Sequence, residues 1–501
     1  MILLASSFAA SSGSSGFLWK SERRAAPPQK ARPTRTLENT DLPSRPRLSH
    51  NHSVTPRELA NSICDTLRGS GYRGLLVGGC VRDLLLGLEP ADYDVTTDAT
   101  PEQVVSLFPE SIAVGAQFGV ILIPRDGLKV EVATFRSDVG YSDGRHPDRV
   151  VYSKTPQEDV QRRDFTINGL LMRHDTGEVL DFVDGQADLE AKVIRAIGEP
   201  DRRFAEDKLR MMRAVRFAAR CGFEIEAATF RAICRHVSEI HQVSPERLRE
   251  ELTKLLTEGA ARRAFELLDE TCLLQQVLPE IAAMKGVEQP PQYHPEGDVW
   301  IHTRMMLEGL PAGTAPTLAW GVLLHDVGKP PTFQSAVETG DRIRFNNHVE
   351  VGVRMAEAIC RRLRFSSEDT EQILALVDNH MKFGAVEEMR TSTLKKFVRL
   401  PHFEEHLALH RLDCLSSHGH LDSYEFVKRF LEVTPPEQVR PERLLTGDDL
   451  QEMGFRPGPL FAQILRALED GQLEGQIKTR KEAEQYVLSN FGSKKRGVSS
   501  D

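Results

Sequence analysis

Cysteine is scarce and unpatterned in this chain. Its 501 residues hold seven (Cys64, Cys80, Cys221, Cys234, Cys272, Cys360, Cys414), an odd number with no CxxC pair. That excludes a disulfide scaffold and a structural zinc ribbon, and it points to a reducing compartment, read as the cytoplasm. Long apolar runs are missing too: no stretch reaches the roughly eighteen residues that a membrane span needs. Internal repeats are absent. Positive charge is in deficit, with 64 Lys/Arg against 73 Asp/Glu and a formal net charge of -9, a balance that argues against a nucleic-acid partner. The deficit is uneven. Residues 1–50 carry eight basic and three acidic side chains, leaving 56 and 70 in 51–501.

What is present is ordinary globular material, 27% charged and 40% hydrophobic, long enough for about three domains at roughly 150 residues each. Residues 1–50, rich in Ser, Ala, Pro and Arg, read as a disordered N-terminal extension outside the fold. The opening MILLASSFAASSGSSGFLW has no basic residue before its apolar part and is interrupted by serines, so it is a poor secretory signal; an organelle transit peptide is the alternative reading. From 54 to about 200 the pattern is mixed α/β, with strand-like RGLLVGG, DYDVTT, FGVILIP and LKVEVATFR. Beyond about 201, apolar positions recur at three- and four-residue spacing, as in KLRMMRAVRFAARCGF and VGVRMAEAICRRLRF. Proline-rich breaks at 289–297 and 433–442 divide this helical part.

The first chemical constellation begins at LLVGGCVRDLLLG. Gly78 and Gly79 stand between a strand and a helix, where backbone amides can approach a phosphate, and Arg82 lies in the first turn. Ten residues on, Asp92 and Asp94 alternate along a strand and present two carboxylates to one side. Such hard oxygen ligands suit Mg²⁺, and two such ions suit in-line displacement at phosphorus. Glu131, on KVEVATFR, is a plausible third carboxylate. The run Arg162-Arg163-Asp164-Phe165-Thr166-Ile167-Asn168 combines cationic and amide groups suited to a triphosphate and a ribose. EDKLRMMRAVRFAAR then places Glu206, Asp207, Arg210, Arg213, Arg216 and Arg220 on one expected helix, with the arginines on one face. Four like charges there repel unless an anion is near.

Together GGCVRD, DYD, RRDFTING and EDKLRMMRAVRF, in this order over roughly residues 70–280, resemble the class II tRNA nucleotidyltransferase/poly(A) polymerase family of the polymerase β-like superfamily. FRSDVGYSDGRHPDRVVY resembles that family's flexible loop, and 444–475 its C-terminal segment; Gly169 departs from the Ala common after the Asn. The resemblance implies that Gly79 and Arg82 contact the nucleotide, that Asp92 and Asp94 bind catalytic Mg²⁺, and that Arg163, Asp207, Arg210, Arg213 and Arg216 complete the pocket. The base-reading chemistry of Asp207 and Arg210 follows from the groups themselves. Cytosine and adenine each offer an amine beside a ring-nitrogen acceptor, which a carboxylate and a guanidinium match. Guanine and uracil leave both groups unpaired, at roughly 1–3 kcal/mol each. Such a pocket fits addition of CCA to tRNA from CTP and ATP without a template.

A second constellation runs HPEGDVWIHT, LLHDVGKP, NNHVEVG, LVDNHMKF, LHRLDCL. His302, His325, Asp326 and Asp413 follow the H…HD…D order of the HD phosphohydrolase superfamily, and His348 and His380 stand where they could complete a second metal position. His402, His406, His410, His418 and His420 are read as structural or exposed. The fusion resembles the HD-containing bacterial CCA-adding enzymes, in which this domain is associated with phosphatase and 2′,3′-cyclic phosphodiesterase activity on a divalent metal. The expected architecture is an α/β nucleotidyltransferase head, a small mixed β-sheet with flanking helices (51–200). A helical neck and body for nucleotide selection and RNA binding (201–285), an HD domain (286–432) and a C-terminal helical segment (433–501) follow. Expected partners are tRNA, CTP and ATP, with no membrane; the oligomeric state is open. The alternatives are a bacterial poly(A) polymerase, an A-adding-only enzyme, and an HD phosphohydrolase with an RNA-binding head.

Overall fold

The computed structural model describes residues 54–115, 119–139 and 149–492. The N-terminal extension expected over 1–50, and residues 140–148 of the expected flexible loop, lie outside the described residues. The first described helix, α1 (Pro56–Gly69), starts at a capping box in which Thr55 and Glu58 satisfy each other's backbone amides. Its apolar stripe buries Leu59, Ile63 and Leu67, each worth about 1.5–3 kcal/mol when fully buried.

α1 packs on a seven-stranded mixed sheet. Its strands are β1 (Gly74–Val77), β2 (Asp94–Thr97), β3 (Ile112–Gly115), β4 (Val120–Arg125), β5 (Leu128–Thr134), β8 (Leu171–Met172) and β9 (Val179–Leu180). Between β5 and β8 in the chain, β6 (Arg136–Val139) and β7 (Arg149–Tyr152) form a separate antiparallel pair at the two ends of the loop segment. The order is β3-β4-β5-β2-β1-β8-β9, with β2 and β5 parallel and every other neighbouring pair antiparallel. The strict alternation of LKVEVAT sends Val130 and Val132 into the core under α1, and Lys129 and Glu131 to the opposite face.

The remainder is helical apart from two-residue strand pairs, as the spacing predicts. One continuous core runs from Phe165 through the helices Leu209–Cys221, Pro245–Thr257 and Pro316–Leu324 to Leu412, so helices on both sides of residue 286 bury their stripes together. Residues 445–487 have a core of their own. No helix among the described residues is long and apolar enough to cross a membrane, and all seven cysteines are free.

One expectation fails in detail. Glu206 and Asp207 do not belong to the arginine helix. A first helix ends at Glu206, Asp207 is extended (φ -148°, ψ 107°), and the next helix begins at Leu209. The reason is local capping: the Asp207 carboxylate accepts the Leu209 N–H at 3.1 Å, so it satisfies an amide that a continuous helix would have paired internally.

Candidate functional sites

The β1-to-α2 turn (α2, Gly79–Leu85) opens a cavity of about 670 Å³ lined by Gly78, Gly79, Arg82, Asp92, Asp94, Glu131, Arg163, Asn168, Arg213 and Arg216, among others. Gly78 has φ +77° and ψ -127°, a backbone conformation that L side chains rarely adopt, so this turn requires glycine. On the cavity floor, the parallel register sets Asp94 beside Glu131, so both carboxylates project from one face. Asp92 lines the same cavity one residue before Tyr93, whose ring is buried in the core on the other side. Burial first, then the facing Glu131 and finally Asp92 push the Asp94 carboxyl up to about 6, against the pull of Arg163.

Asp92, Asp94 and Glu131 all line the cavity, and a bound divalent cation relieves the repulsion that Glu131 and Asp92 exert on Asp94. This has a stability consequence. A raised folded-state pKa penalises the charged form; the penalty is absent below Asp94's ordinary 3.8, grows as pH rises to about 6, and is fully present at pH 7.5. Cation-free Asp94→Asn is therefore expected to be more stable than wild type at pH 7.5, by on the order of 1–3 kcal/mol, with the gain vanishing near pH 4. Urea melts in chelator at the two pH values check this.

The arginines reach the cavity already paired with protein carboxylates. Arg82 is buried, donating to Asp83 at 2.8 Å and to Asn168 Oδ1 at 2.8 Å. Arg163 leans on buried Asp159 at 2.9 Å, Arg213 on Asp164 at 2.7 Å, Arg216 on Glu251 at 2.7 Å and Arg220 on Asp83 at 3.1 Å. Arg82, Arg213 and Arg216 also stack over the Phe217 ring, at 5.1, 5.1 and 4.4 Å. The anions that the arginine stripe requires are thus supplied by the chain itself, and they hold the guanidinium groups in fixed orientations at the cavity wall. Arg162 pairs with Asp159 and lies outside the cavity lining.

Asp207 and Arg210 also lie outside that lining. Arg247 grips Asp207 through two bonds of 3.2 and 2.7 Å, while Arg210 donates to Glu206 at 2.9 Å and to the Arg162 carbonyl at 2.9 Å. Gly169 is tightly packed: a Cβ would come within 2.9–3.2 Å of Val183, Val160 and Ile197, so these side chains would have to shift to admit Ala. Sequence reasoning missed Asp83, Glu251 and Glu258 as counter-ions, Arg247, and the lining lysines Lys129 and Lys254.

The second constellation converges completely. His302, His325 and Asp413 offer ligand atoms within 4.8 Å of one another, as do Asp326, His348 and His380. The connections are His302 Nε2 to Asp413 at 3.2 Å, His325 Nε2 to Asp326 at 3.2 Å, and His380 Nε2 to Asp326 at 3.9 Å. Gly328 makes this approach possible, since a Cβ there would lie 2.1 Å from the His348 carbonyl oxygen and 2.6 Å from the Gly352 nitrogen. The Nε2 atoms of all four histidines are buried and, although those of His302 and His325 lie 3.2 Å from carboxylates, none makes an aligned hydrogen bond, the signature of a donor set built for a cation. Burial lowers His380 to about 4. It pulls His302 down as well, but Asp413 and Glu296 outweigh it and hold His302 up at about 9. Glu296, Lys329 and Gln289 lie at the cluster without a role assigned from sequence, although HPEGD and the GK after His325-Asp326 carried a signal for the first two. Of the histidines read as structural or exposed, His406 and His410 are buried, His410 stacked on Phe383 at 4.4 Å.

Comparison with known proteins identifies the domains in which the two sites lie. Residues 75–195 match the family model described as "Poly A polymerase head domain", 222–285 that described as "Probable RNA and SrmB- binding site of polymerase A", and 298–401 the HD domain. A CCA-adding enzyme of Levilactobacillus brevis is 32% identical over 427 residues, covering 85% of this chain and 96% of the relative. One from Geobacillus sp. is 30% identical, covering 85% and 95%. The crystal structure of the Bacillus stearothermophilus CCA-adding enzyme in complex with CTP superposes with a TM-score of 0.66 at 25% identity, covering 88% of this chain and 99% of that one. The fold is shared with the Thermotoga maritima CCA-adding enzyme complexed with tRNA, at a TM-score of 0.52, 21% identity, and coverage of 88% and 97%. The chain belongs to the CCA-adding enzymes of the tRNA nucleotidyltransferase/poly(A) polymerase family, in a form that carries an HD domain.

Proposed function

We propose that this protein adds CCA to the 3′ end of tRNA from CTP and ATP, without a template. The observation that carries the reading is the β2–β5 register, which lines up Asp94 with Glu131 beside Asp92 on the floor of a cavity walled by guanidinium groups. Asp92 and Asp94, with Glu131 at hand, would hold Mg²⁺. Bound there, divalent cations supply Lewis-acid stabilisation of the charge that develops on the phosphate oxygens. The chain's own groups do the rest. The Gly78–Gly79 turn admits the triphosphate close to the backbone, and Arg82 and Arg163, pre-oriented by Asp83, Asn168 and Asp159, face it with fixed positive charge. The tRNA 3′-hydroxyl attacks the α-phosphorus in line and pyrophosphate leaves.

Base choice is assigned to Asp207 and Arg210. A carboxylate has about four acceptor sites, so Asp207 can keep Arg247 and still accept from a base amine. Asp207→Ala is expected to raise incorporation of UTP and GTP relative to CTP and ATP by about 5–150-fold, the equivalent of 1–3 kcal/mol. Single-nucleotide incorporation into tRNA lacking CCA checks this, and wild type should accept only CTP and ATP. Unchanged selectivity would remove the pair from that role.

For the histidine cluster we propose a divalent-metal phosphohydrolase acting on phosphate esters at RNA ends, with His302, His325, Asp326 and Asp413 as ligands and His348 and His380 completing a second position. Nitrogen and carboxylate donors together suit a borderline transition metal. The free cysteines support a cytoplasmic location.

A further inference from the structure

The proline-rich segment between body and HD helices, legible in sequence only as a break, closes on itself against the histidine cluster. Its base is fastened by the Gly286 N–H to Asp298 Oδ2 at 2.5 Å, the Gln289 N–H to the Gly297 carbonyl at 2.7 Å, and the Val299 N–H to the Val287 carbonyl at 3.0 Å. Two side chains of this loop approach the ligand set, one directly and one through Lys329. Glu296, with its side chain 4% exposed, sets Oε1 2.8 Å from His302 Nδ1 and 2.8 Å from His294 Nδ1. Gln289, also buried, accepts from Lys329 Nζ at 2.6 Å, and the same ammonium lies 2.7 Å from Asp326 Oδ2.

His302 differs from the other three histidines in what orients it. His325, His348 and His380 each meet, through Nδ1, the carbonyl three residues earlier (Val322 at 2.8 Å, Phe345 at 3.0 Å, Val377 at 2.7 Å). Those bonds are local and fix Nε2 as the bare nitrogen. His302 Nδ1 instead faces Glu296, with the Ser416 carbonyl further off at 3.4 Å. His294, Glu296 and His302 also lie close enough to hold a cation. That would use His302 Nδ1, whereas Asp413 faces Nε2; one imidazole serves both only by losing its remaining N–H proton. With the Nε2 side occupied, the His302 Nδ1–H has the Glu296 carboxylate as its nearer and charged neighbour at 2.8 Å and the Ser416 carbonyl as its further acceptor at 3.4 Å.

We propose that Glu296, braced by His294, is the positioning residue that fixes His302 as an Nε2 ligand, and that Gln289 steadies Asp326 through Lys329. The interdomain linker is thereby the outer wall of the metal centre. The proposal rests on the reading that the cluster binds a divalent cation. Loss of such an outer partner costs about 10–100-fold in metal affinity.

The test titrates full-length protein with Mn²⁺ by calorimetry in an Asp92→Ala, Asp94→Ala background, which silences the head. CTP incorporation by the single Glu296→Gln variant, expected within about twofold of wild type because the head does not contain Glu296, reports on folding. Glu296→Gln is expected to weaken Mn²⁺ binding about 10–100-fold. Unchanged Mn²⁺ affinity overturns the proposal alone; no Mn²⁺ binding by the parent background overturns the metal reading and the proposal with it. If Glu296→Gln fails to incorporate CTP, His294→Ala, which removes the brace together with an edge contact to the His302 ring at 5.1 Å, carries the same comparison, with weaker binding expected and unchanged binding overturning.

Discussion

Asp92→Ala and Asp94→Ala are each expected to lower CTP and ATP incorporation by at least about a thousand-fold, the equivalent of about 4 kcal/mol of transition-state stabilisation. Reaction at the α-phosphorus gathers negative charge in a cavity whose floor is already acidic, and only cations held by these carboxylates make that floor attractive to a triphosphate. The guanidinium wall orients the triphosphate but cannot substitute for the cations, because each of its charges is already shared with Asp83, Asp159, Asp164 or Glu251. Rapid-quench incorporation at saturating nucleotide checks the magnitude. Loss confined to KM would mean that the carboxylates serve ground-state binding and that the chemistry is driven elsewhere. The same variants should retain hydrolysis of a 2′,3′-cyclic phosphate, since no ligand of the histidine cluster lines the head cavity.

The mirror experiment is His325→Ala. His325 is 1% exposed, its Nε2 is 3.2 Å from Asp326, and its ring meets those of His302 and His380 edge-on at 5.4 and 5.5 Å. Truncation removes a ligand nitrogen from the centre of the set, and metal-dependent hydrolysis is expected to fall at least about a hundred-fold. CTP incorporation should stay within about twofold. His325→Asn keeps more of the ring's volume and separates loss of the ligand from loss of packing. If each activity fell in both the Asp92 and the His325 variants, the two-site account would be wrong.

The parts legible from sequence were those encoded over short distances. The alternation of LKVEVAT set the faces of β5, and H…HD…D named a cluster that closes in three dimensions; the DxD pair lines one cavity, although Asp92 precedes β2 instead of alternating with Asp94 along it. Long-range pairing was not legible. The partners of Arg216 and Arg220, Glu251 and Asp83, lie 35 and 137 residues away, so the stripe looked like unbalanced charge awaiting a ligand. Asp207 was misplaced for a local reason: helical spacing continues across a capped break, and period alone does not register the cap. The linker was read as a boundary because prolines end helices, although its Glu296 contacts the ligand His302 and its Gln289 the Lys329 that pairs with Asp326.

The central claim is that two carboxylates and a base-reading pocket build a defined trinucleotide. Sequencing the products formed from tRNA lacking CCA, with CTP and ATP both present, tests it most directly. The account predicts C, C, then a single A, after which growth stops. Long oligo(A) tails, or addition of A alone to the truncated end, would contradict it.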